Sequence, residues 1–420
     1  MADNLMAQKA KGLYKKLCQD NWSANTAGII VAIFSILMLA WARPWGAVGA
    51  VRNWGEWIFY GCGLWDKLGF ADVLEANAPG AFLRHTGSVI GIGFVGGAFI
   101  SACLGGDFAF RIPPKLEMVK GIFAGIFMGI GATLAGGCNV GGFYNAIGNL
   151  SASGFAMMAG LIIGAIVGLK YVYWEMENIS WGTAGGKTIE LPGALQTILG
   201  VVALLAIVLG AYKYAGGASA VAKLSGIILI AAAMGYTMQR GRWCMIQGFR
   251  EPHMTGDCEL AKSVALSIAI LAIGITIIKS RYVGSFLDLD AEPLDWYKFQ
   301  YVRGTFGWGG VVGGILFGFG AIQAGGCGTG TLWRVGEGQI KLWIVAITFG
   351  LSSAIGSLVV QKYQLEGNVF DGGSKLGSYV YMPDTWLGYG GTLILILAVM
   401  ALWYIIVDWN EDTNKLTLEM

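Results

Sequence analysis

The sequence predicts an all-α integral membrane protein of about ten hydrophobic spans, arranged as two inverted five-span repeats. Composition supports this, because 55% of the residues are hydrophobic and 13% are charged, whereas about 25% of the residues of a soluble domain are charged. Apolar segments of roughly 20 residues, the length of a helix that crosses a bilayer, recur along the chain. A glycine-rich stretch that ends in cysteine occurs twice.

The candidate spans are separated by polar connections of very different lengths, the longest of which is loop 43–84. They cover about residues 25–42, 85–106, 117–136, 151–174, 193–213, 219–239, 260–279, 303–325, 341–363 and 386–408. Residues 1–24 are polar and contain four lysines, and positive charge before a first span favours a cytoplasmic N-terminus. An even number of spans returns the tail, residues 409–420, to the same side. We therefore expect both termini in the cytoplasm and the protein in the inner membrane.

The repeated stretch indicates an internal duplication. Residues 121–141 read GIFAGIFMGIGATLAGGCNVG and residues 310–330 read GVVGGILFGFGAIQAGGCGTG. When the first is shifted by 189 positions, seven glycines coincide and Cys138 falls on Cys327. The chain contains 67 glycines, but chance does not explain seven in register before the same AGGC motif. A fixed period of this kind is the mark of a duplication.

The two copies are expected to enter the membrane from opposite sides. Five predicted spans, an odd number, separate Cys138 from Cys327. The first repeat then covers residues 25–213 and the second residues 219–408. Inverted repeats are typical of transporters, whose substrate site lies near the midplane between broken helices of the two halves.

The segments that follow the two GGC motifs are too short and too rich in glycine to span a membrane. We predict that residues 139–150 and 328–340 are re-entrant segments buried in protein, because irregular backbone cannot face lipid. A half-helix that starts after the cysteine would direct its backbone N–H groups and positive dipole end toward the thiol. The pattern predicts an anion site that contains sulfur.

The candidate binding residues begin with Cys138 and Cys327 and the glycines before them, Gly137 and Gly326. A buried cysteine is often a small packing residue, but the retention of a thiol at both helix breaks favours a function. No metal site is expected, since zinc needs four ligands and the chain has only two histidines. No cofactor is predicted.

Three further cysteines are candidates. Cys244 lies in GRWCMIQGFRE, where neighbouring arginines would attract anions; it could also be an interfacial loop residue. Its counterpart in the first half would be Cys62 or Cys103, and the sequence leaves that choice open. Loop 43–84, which contains Cys62 and four tryptophans, is predicted to be an interfacial or partly inserted hairpin.

Several polar residues in the re-entrant segments could contact an anion. Asn139, Asn145 and Asn149 occupy the first segment and could donate hydrogen bonds to it. Arg334 could bind the anion or pair with Glu337, and both interpretations stay open, because charges at membrane depth are usually either functional or paired.

These motifs identify a resemblance to a known family. AGGCNVGGF, GRWCMIQGFRE and AGGCGTGTLWRVGEGQ resemble the YeeE/YedE membrane proteins, a sulfur-transport family whose characterised members take up thiosulfate. The resemblance runs from about residue 25 to 408. VGEGQ, the paired halves and the length are most similar to the YedE subgroup, often described as selenium transporters.

The resemblance implies an hourglass-shaped protein with a path of thiols that bind the ion through S–H···S hydrogen bonds. Cys138, Cys244 and Cys327 match that thiol set. A thiolate would repel an anion, so the neutral thiol is the expected working form. The family also implies that a cytoplasmic sulfur-carrier protein collects the substrate.

The predicted function is uptake of thiosulfate or a related sulfur or selenium anion. One alternative is a membrane thiol–disulfide relay protein, although the chain lacks the C-x-x-C pair such proteins use. Another is a general small-anion channel with structural cysteines. The chain is not expected to be an enzyme. It has no nucleotide-binding P-loop, and a net charge of +2 gives no reason to expect nucleic acid.

Overall fold

The computed structural model describes residues 2–63, 81–179, 185–282, 302–365 and 373–418. In these ranges the chain is almost entirely helical, with two small antiparallel sheets that pair β1 with β2 and β3 with β4. The α-helices are α1 (Ala2–Tyr14), α2 (Ala24–Trp41), α3 (Val48–Gly61), α4 (Thr86–Gly105), α5 (Lys115–Leu134), α6 (Asn145–Gly148), α7 (Ser153–Asn178), α8 (Gly193–Ala215), α9 (Ser219–Arg240), α10 (Met245–Met254), α11 (Glu259–Tyr282), α12 (Trp308–Ala324), α13 (Gly328–Gly336), α14 (Ile340–Lys362) and α15 (Gly388–Thr413). The strands are β1 (Ala109–Ile112), β2 (Lys187–Glu190), β3 (Gly373–Ser374) and β4 (Gly377–Ser378). Lys15–Gln19 and Asn139–Tyr144 are π-helical, and Met382–Asp384 is a 3₁₀ turn.

The predicted fold class, an all-α membrane protein of about ten spans, is confirmed. Within the described ranges, ten helical segments are long and apolar enough to cross a membrane: Ala24–Trp41, Thr86–Gly105, Lys115–Gly148, Ser153–Asn178, Gly193–Ala215, Ser219–Met254, Glu259–Ser280, Trp308–Gly336, Ile340–Lys362 and Gly388–Thr413. The eighth starts at Trp308 rather than 303, because Phe306 is extended and pairs with Ser378. The tenth continues to Thr413, five residues beyond the expected end at 408.

The helices pack in matched pairs. Taken in chain order, α2 to α8 correspond to α9 to α15. Helix α5 packs on α14, and its equivalent α12 packs on α7. In the same way α4 packs on α9, and α11 packs on α2. Helix α4 also packs on α8, and α11 packs on α15. Helices α5 and α12 contact each other, as do α2 and α9. Each pair becomes its partner pair when every helix is replaced by its equivalent in the other half, as expected if the two halves have the same fold. The inverted insertion of the halves, and the boundaries 25–213 and 219–408, stay predictions.

The repeated glycines allow α5 and α12 to approach closely. A Cβ atom at Gly131 would lie 2.5 Å from the backbone nitrogen of Phe317 and 2.6 Å from the carbonyl oxygen of Gly313. A Cβ atom at Gly314 would lie 2.7 Å from the carbonyl oxygen of Met157 on α7. Small residues at such contacts are what membrane helices need to pack backbone against backbone.

The loop 43–84, for which the sequence predicts an interfacial or partly inserted hairpin, contains a helix that packs on a span. The structure shows α3 packed against α14, with Gly55 close to Gly350. Trp45 is only 1% exposed, and its ring stacks on Phe94, so this tryptophan is a core residue and not an interfacial one. Trp65 and the rest of residues 64–80 lie outside the described residues.

Candidate functional site

The two GGC motifs form equivalent interruptions at the ends of α5 and α12. We call Gly136–Cys138 the first break and Gly325–Cys327 the second break. Gly136 and Gly325, which coincide in the repeat, have φ values of +71° and +82°, a backbone conformation that glycine adopts without steric cost. Cys138 and Cys327 are extended, with φ of −74° and −75°. Each cysteine directly precedes a short helical segment, as the sequence predicts.

The two breaks contact each other across the boundary between the halves. The side-chain oxygen of Asn139 accepts a hydrogen bond from the backbone nitrogen of Gly328 at 3.3 Å. A Cβ atom at Gly328 would lie 3.1 Å from the sulfur of Cys138. The start of the second re-entrant segment therefore lies against the first thiol, at a distance that favours glycine.

Cys244 joins the second break. Its sulfur lies 3.5 Å from the sulfur of Cys327, and both thiols are free. The backbone N–H of Gly330 donates to Cys327 at 3.4 Å. A Cβ atom at Gly330 would lie 2.6 Å from the sulfur of Cys244. The sulfurs of Cys138, Cys244 and Cys327 are thus brought to one region of the core, and all three residues are 0% exposed.

Polar groups surround the Cys138 thiol. The backbone N–H groups of Ala47, Val140 and Gly141 face its sulfur. The side-chain nitrogen of Asn139, a residue only 1% exposed, has no hydrogen-bond partner among the described residues. A buried donor without a partner costs stability, and a bound anion within its reach would satisfy it.

Arg334 lies at the second break. Its guanidinium donates to the carbonyl oxygen of Gly325 and stacks on Trp333 at 4.6 Å. A Cβ atom at Gly326 would lie 2.8 Å from its Nη1. The ion-pair partners of Glu337 in the described ranges are Arg242, at 2.6 Å, and Arg111, at 3.6 Å. In the described ranges Arg334 therefore does not pair with Glu337, and the interpretation that Arg334 binds an anion stays a prediction.

The remaining sequence candidates lie elsewhere. Cys62 ends α3 and is exposed, while Cys103 is buried in a separate cluster with Ala102 and Phe108. The structure brings neither to the thiols described above. The residue that matches Cys244 is Ala47, because Ala47 precedes α3 as Cys244 precedes α10. Sequence reasoning that looked for cysteines missed position 47, because its side chain is a methyl group.

Buried hydrogen bonds fix the segments that lead into these two positions. The Trp45 indole donates to Ser35 at 2.8 Å, and the Trp45 carbonyl accepts from Asn145 at 2.6 Å. In the second half, the Trp243 indole donates to Ser263 at 2.9 Å. Each half therefore uses a buried tryptophan to hold the segment that leads into α3 or α10.

A cavity of about 350 Å³ leads to the first break, with Cys138 and Gly137 in its lining. We call this cavity the vestibule. Three arginines line it: Arg43 and Arg52 from the segment around α3, and Arg303 from the second half. Sequence reasoning missed them because each is a single basic residue next to an apolar segment, a position common to many membrane proteins. Among the described residues, no three His, Cys, Asp or Glu side chains converge as metal ligands would.

Comparisons with known proteins match both halves of this architecture. A profile of the family described as Sulphur transport matches residues 2–167 and 240–419. The probable transporter YedE of Escherichia coli (strain K12) is 26% identical over 381 residues, which cover 87% of each chain. The thiosulfate transporter TsuA of the same organism is 30% identical over 201 residues, covering 46% of this chain and 49% of that protein. TsuA of Spirochaeta thermophila is 30% identical over 126 residues, covering 30% and 34%.

Proposed function

This chain belongs to the Sulphur transport family, and on that premise we propose that it takes up thiosulfate, or a closely related small sulfur anion, through the inner membrane. The anion would pass from the vestibule to Cys138 and then to Cys327 and Cys244. Two relatives that carry the name thiosulfate transporter support this choice of substrate.

One observation carries the proposal: thiols from three distant parts of the chain converge where the two breaks meet. Cys138 lies against Gly328, which directly follows Cys327 in the chain, and Cys327 lies 3.5 Å from Cys244. Packing alone does not require sulfur at each of these positions, since alanine fills the equivalent position at Ala47. A continuous set of polarizable sulfurs supports the passage of a sulfur-containing ion.

The backbone provides the charge complementarity that an anion needs. The N-terminal ends of the two re-entrant segments direct N–H groups at Cys138 and Cys327, and such ends bind anions. Several weak contacts let an ion enter and still leave, which conduction requires. Neutral thiols that donate S–H bonds fit this role, whereas thiolates would repel the ion.

The vestibule supports entry of the ion at Cys138. Arginines that line a cavity with low-dielectric walls raise the local concentration of anions. Arg334, buried beyond the second break, provides a positive charge at the other end of the thiol set. The path therefore has cationic groups at both ends and thiols between them.

A second candidate function rests on the contact between Cys244 and Cys327. Two free thiols 3.5 Å apart could exchange with a disulfide, as in a thiol–disulfide relay. Such a relay requires access for the attacking thiol, and both cysteines are fully buried. Burial therefore argues against the relay.

Uptake of radiolabelled thiosulfate tests the proposal, in cells that lack their own sulfate and thiosulfate uptake. We expect Cys138→Ala, Cys244→Ala and Cys327→Ala each to lower the uptake rate about tenfold or more, the effect of losing one hydrogen bond to a charged group. Cys103→Ala and Cys62→Ala are the matched buried and exposed controls and should keep wild-type uptake. Normal uptake in all three test variants would indicate a general anion channel with structural cysteines. Competition by unlabelled selenite, sulfite or sulfide would show which anions share the path.

A further inference from the structure

The N-terminal helix α1 presents an apolar face that the described part of the protein does not cover. Met6, Ala10 and Leu13 recur at the spacing of one helix face, and Leu17 continues the stripe. Met6 is 77% exposed and Leu13 58% exposed. Large apolar side chains aligned in this way usually mark a surface that binds another apolar surface.

The C-terminal end of α1 and the segment that follows it are fixed to the ends of two spanning helices. The Tyr14 hydroxyl donates to the carbonyl of Leu104 at 2.7 Å, and the Tyr236 hydroxyl donates to the carbonyl of Leu17 at 3.0 Å. Arg240 donates to the carbonyl of Gln19 at 3.0 Å. Leu104 lies at the end of α4 and Arg240 ends α9. These contacts hold the C-terminal end of the exposed helix at the level where the spans leave the bilayer.

The charge on this segment has one sign. Residues 5–19 contain four lysines and no Asp or Glu: Lys9, Lys11, Lys15 and Lys16. In the ranges that the structure describes, none of the four forms an ion pair with a carboxylate. On a helical wheel, Lys11 and Lys15 lie opposite the Met6–Leu13 stripe and Lys9 lies at its border. A helix with one apolar and one basic face lies in the interface of a membrane that contains anionic lipids.

We propose that α1 is an in-plane anchor, with its Met6–Leu13 face inserted among the lipid chains and its lysines bound to anionic phospholipid headgroups. The lipid surface is the occupant we favour over a second copy of the chain, because the four lysines complement anionic headgroups and would repel the same lysines of a second copy. The tether at Tyr14 and Gln19 also fixes α1 at the ends of two spanning helices. This inference does not depend on which ion the protein transports.

Hydrogen–deuterium exchange of the full-length protein in single-copy nanodiscs tests the anchor. We expect amides of residues 5–14 to exchange about tenfold more slowly in discs of phosphatidylcholine with phosphatidylglycerol than in discs of phosphatidylcholine alone. Replacing the four lysines of this segment with Gln should abolish that difference. Replacing Lys187, Lys213, Lys223 and Lys375 with Gln removes the same charge from exposed sites elsewhere and should leave the difference intact.

The apolar face has its own test. Met6→Gln with Leu13→Gln should speed exchange of α1 in both kinds of disc. Equal exchange in the two lipid compositions for the unaltered protein would overturn the proposal. Protection that develops only in discs with two copies of the protein would also overturn it, because the occupant would then be a second copy.

Discussion

At the scale of single residues, a methyl group distinguishes the two ends of the thiol set. Ala47 lies beside Cys138, whereas Cys244 lies beside Cys327 at the equivalent place in the other half. One end of the proposed path therefore offers a single sulfur and the other end offers two. The pair should hold a sulfur-containing ion more tightly than the single thiol does.

Adding a sulfur at Ala47 should strengthen binding at the vestibule end. We predict that Ala47→Cys lowers the KM for thiosulfate uptake about threefold, because it adds a second polarizable thiol beside Cys138. Ala47→Ser is the matched control, because it adds a polar group of similar size without the polarizable sulfur. Equal KM values for the two variants would contradict the idea that sulfur binds the substrate. Initial uptake rates over a range of thiosulfate concentrations provide the measurement.

Asn139 connects the breaks and leaves one donor unpaired. Asn139→Asp retains an oxygen that can accept from Gly328, but it replaces the donor with an oxygen and can add a negative charge beside the proposed ion. We predict that uptake falls about a hundredfold, because a hydrogen bond to a charged group is lost and repulsion is added. The same change at the exposed Asn178 should have no effect. Uptake that survives in the Asn139→Asp variant would place the ion elsewhere.

At the scale of helices, close backbone contact determines where the breaks lie. Helices α5 and α12 approach through Gly131, in the last turn of α5, and Gly313, near the start of α12. A bulkier residue would separate the helices and move both breaks. Glycine at this contact is therefore required for packing, while glycine at Gly328 and Gly330 leaves room next to the thiols.

Gly131→Ala should lower stability through that contact. The added methyl group would overlap backbone atoms of α12, and overpacking of this kind costs about 1–3 kcal/mol. Gly210→Ala on α8 is the control, because nothing lies within 4 Å of its Cβ position, and it should be neutral or slightly stabilising. Thermal unfolding of the purified proteins in detergent, followed by circular dichroism, gives the comparison. Equal melting temperatures would show that α5 and α12 can separate freely.

At the scale of the whole molecule, the charge distribution matters more than the net charge of +2. Three arginines line one cavity: Arg43 and Arg52 come from the first half of the chain and Arg303 from the second. The cavity leads to the first thiol. Electrostatic attraction should therefore act on entry of the ion, and salt should weaken it.

The vestibule arginines should set the salt dependence of uptake. We predict that Arg43→Gln with Arg303→Gln raises the KM for thiosulfate about tenfold at low ionic strength and flattens the salt dependence, since steering of this kind changes rates by about 10 to 1,000 times. Arg84→Gln, at an exposed arginine outside the lining, should behave as wild type. An unchanged KM together with an unchanged salt response would exclude the vestibule as the entrance. Proteoliposome uptake at several concentrations of potassium gluconate provides the measurement.

The sequence by itself determined the membrane class, the number of spans and the two thiol-bearing breaks. These features follow from local properties: the length of apolar runs, the spacing of glycines and the repetition of AGGC. The short helical segments after Cys138 and Cys327 were predictable for the same reason. So was the position of Cys244 as a candidate, from the motif that surrounds it.

Only the tertiary structure decided which distant groups meet. It placed Ala47 beside Cys138, left Cys62 and Cys103 away from the other thiols, paired Glu337 with Arg242 instead of Arg334, and gathered the arginines of the vestibule. The physical reason is that these contacts join segments dozens to hundreds of residues apart. Such contacts depend on how the helices of the two halves pack, and the local pattern of residues does not contain that information.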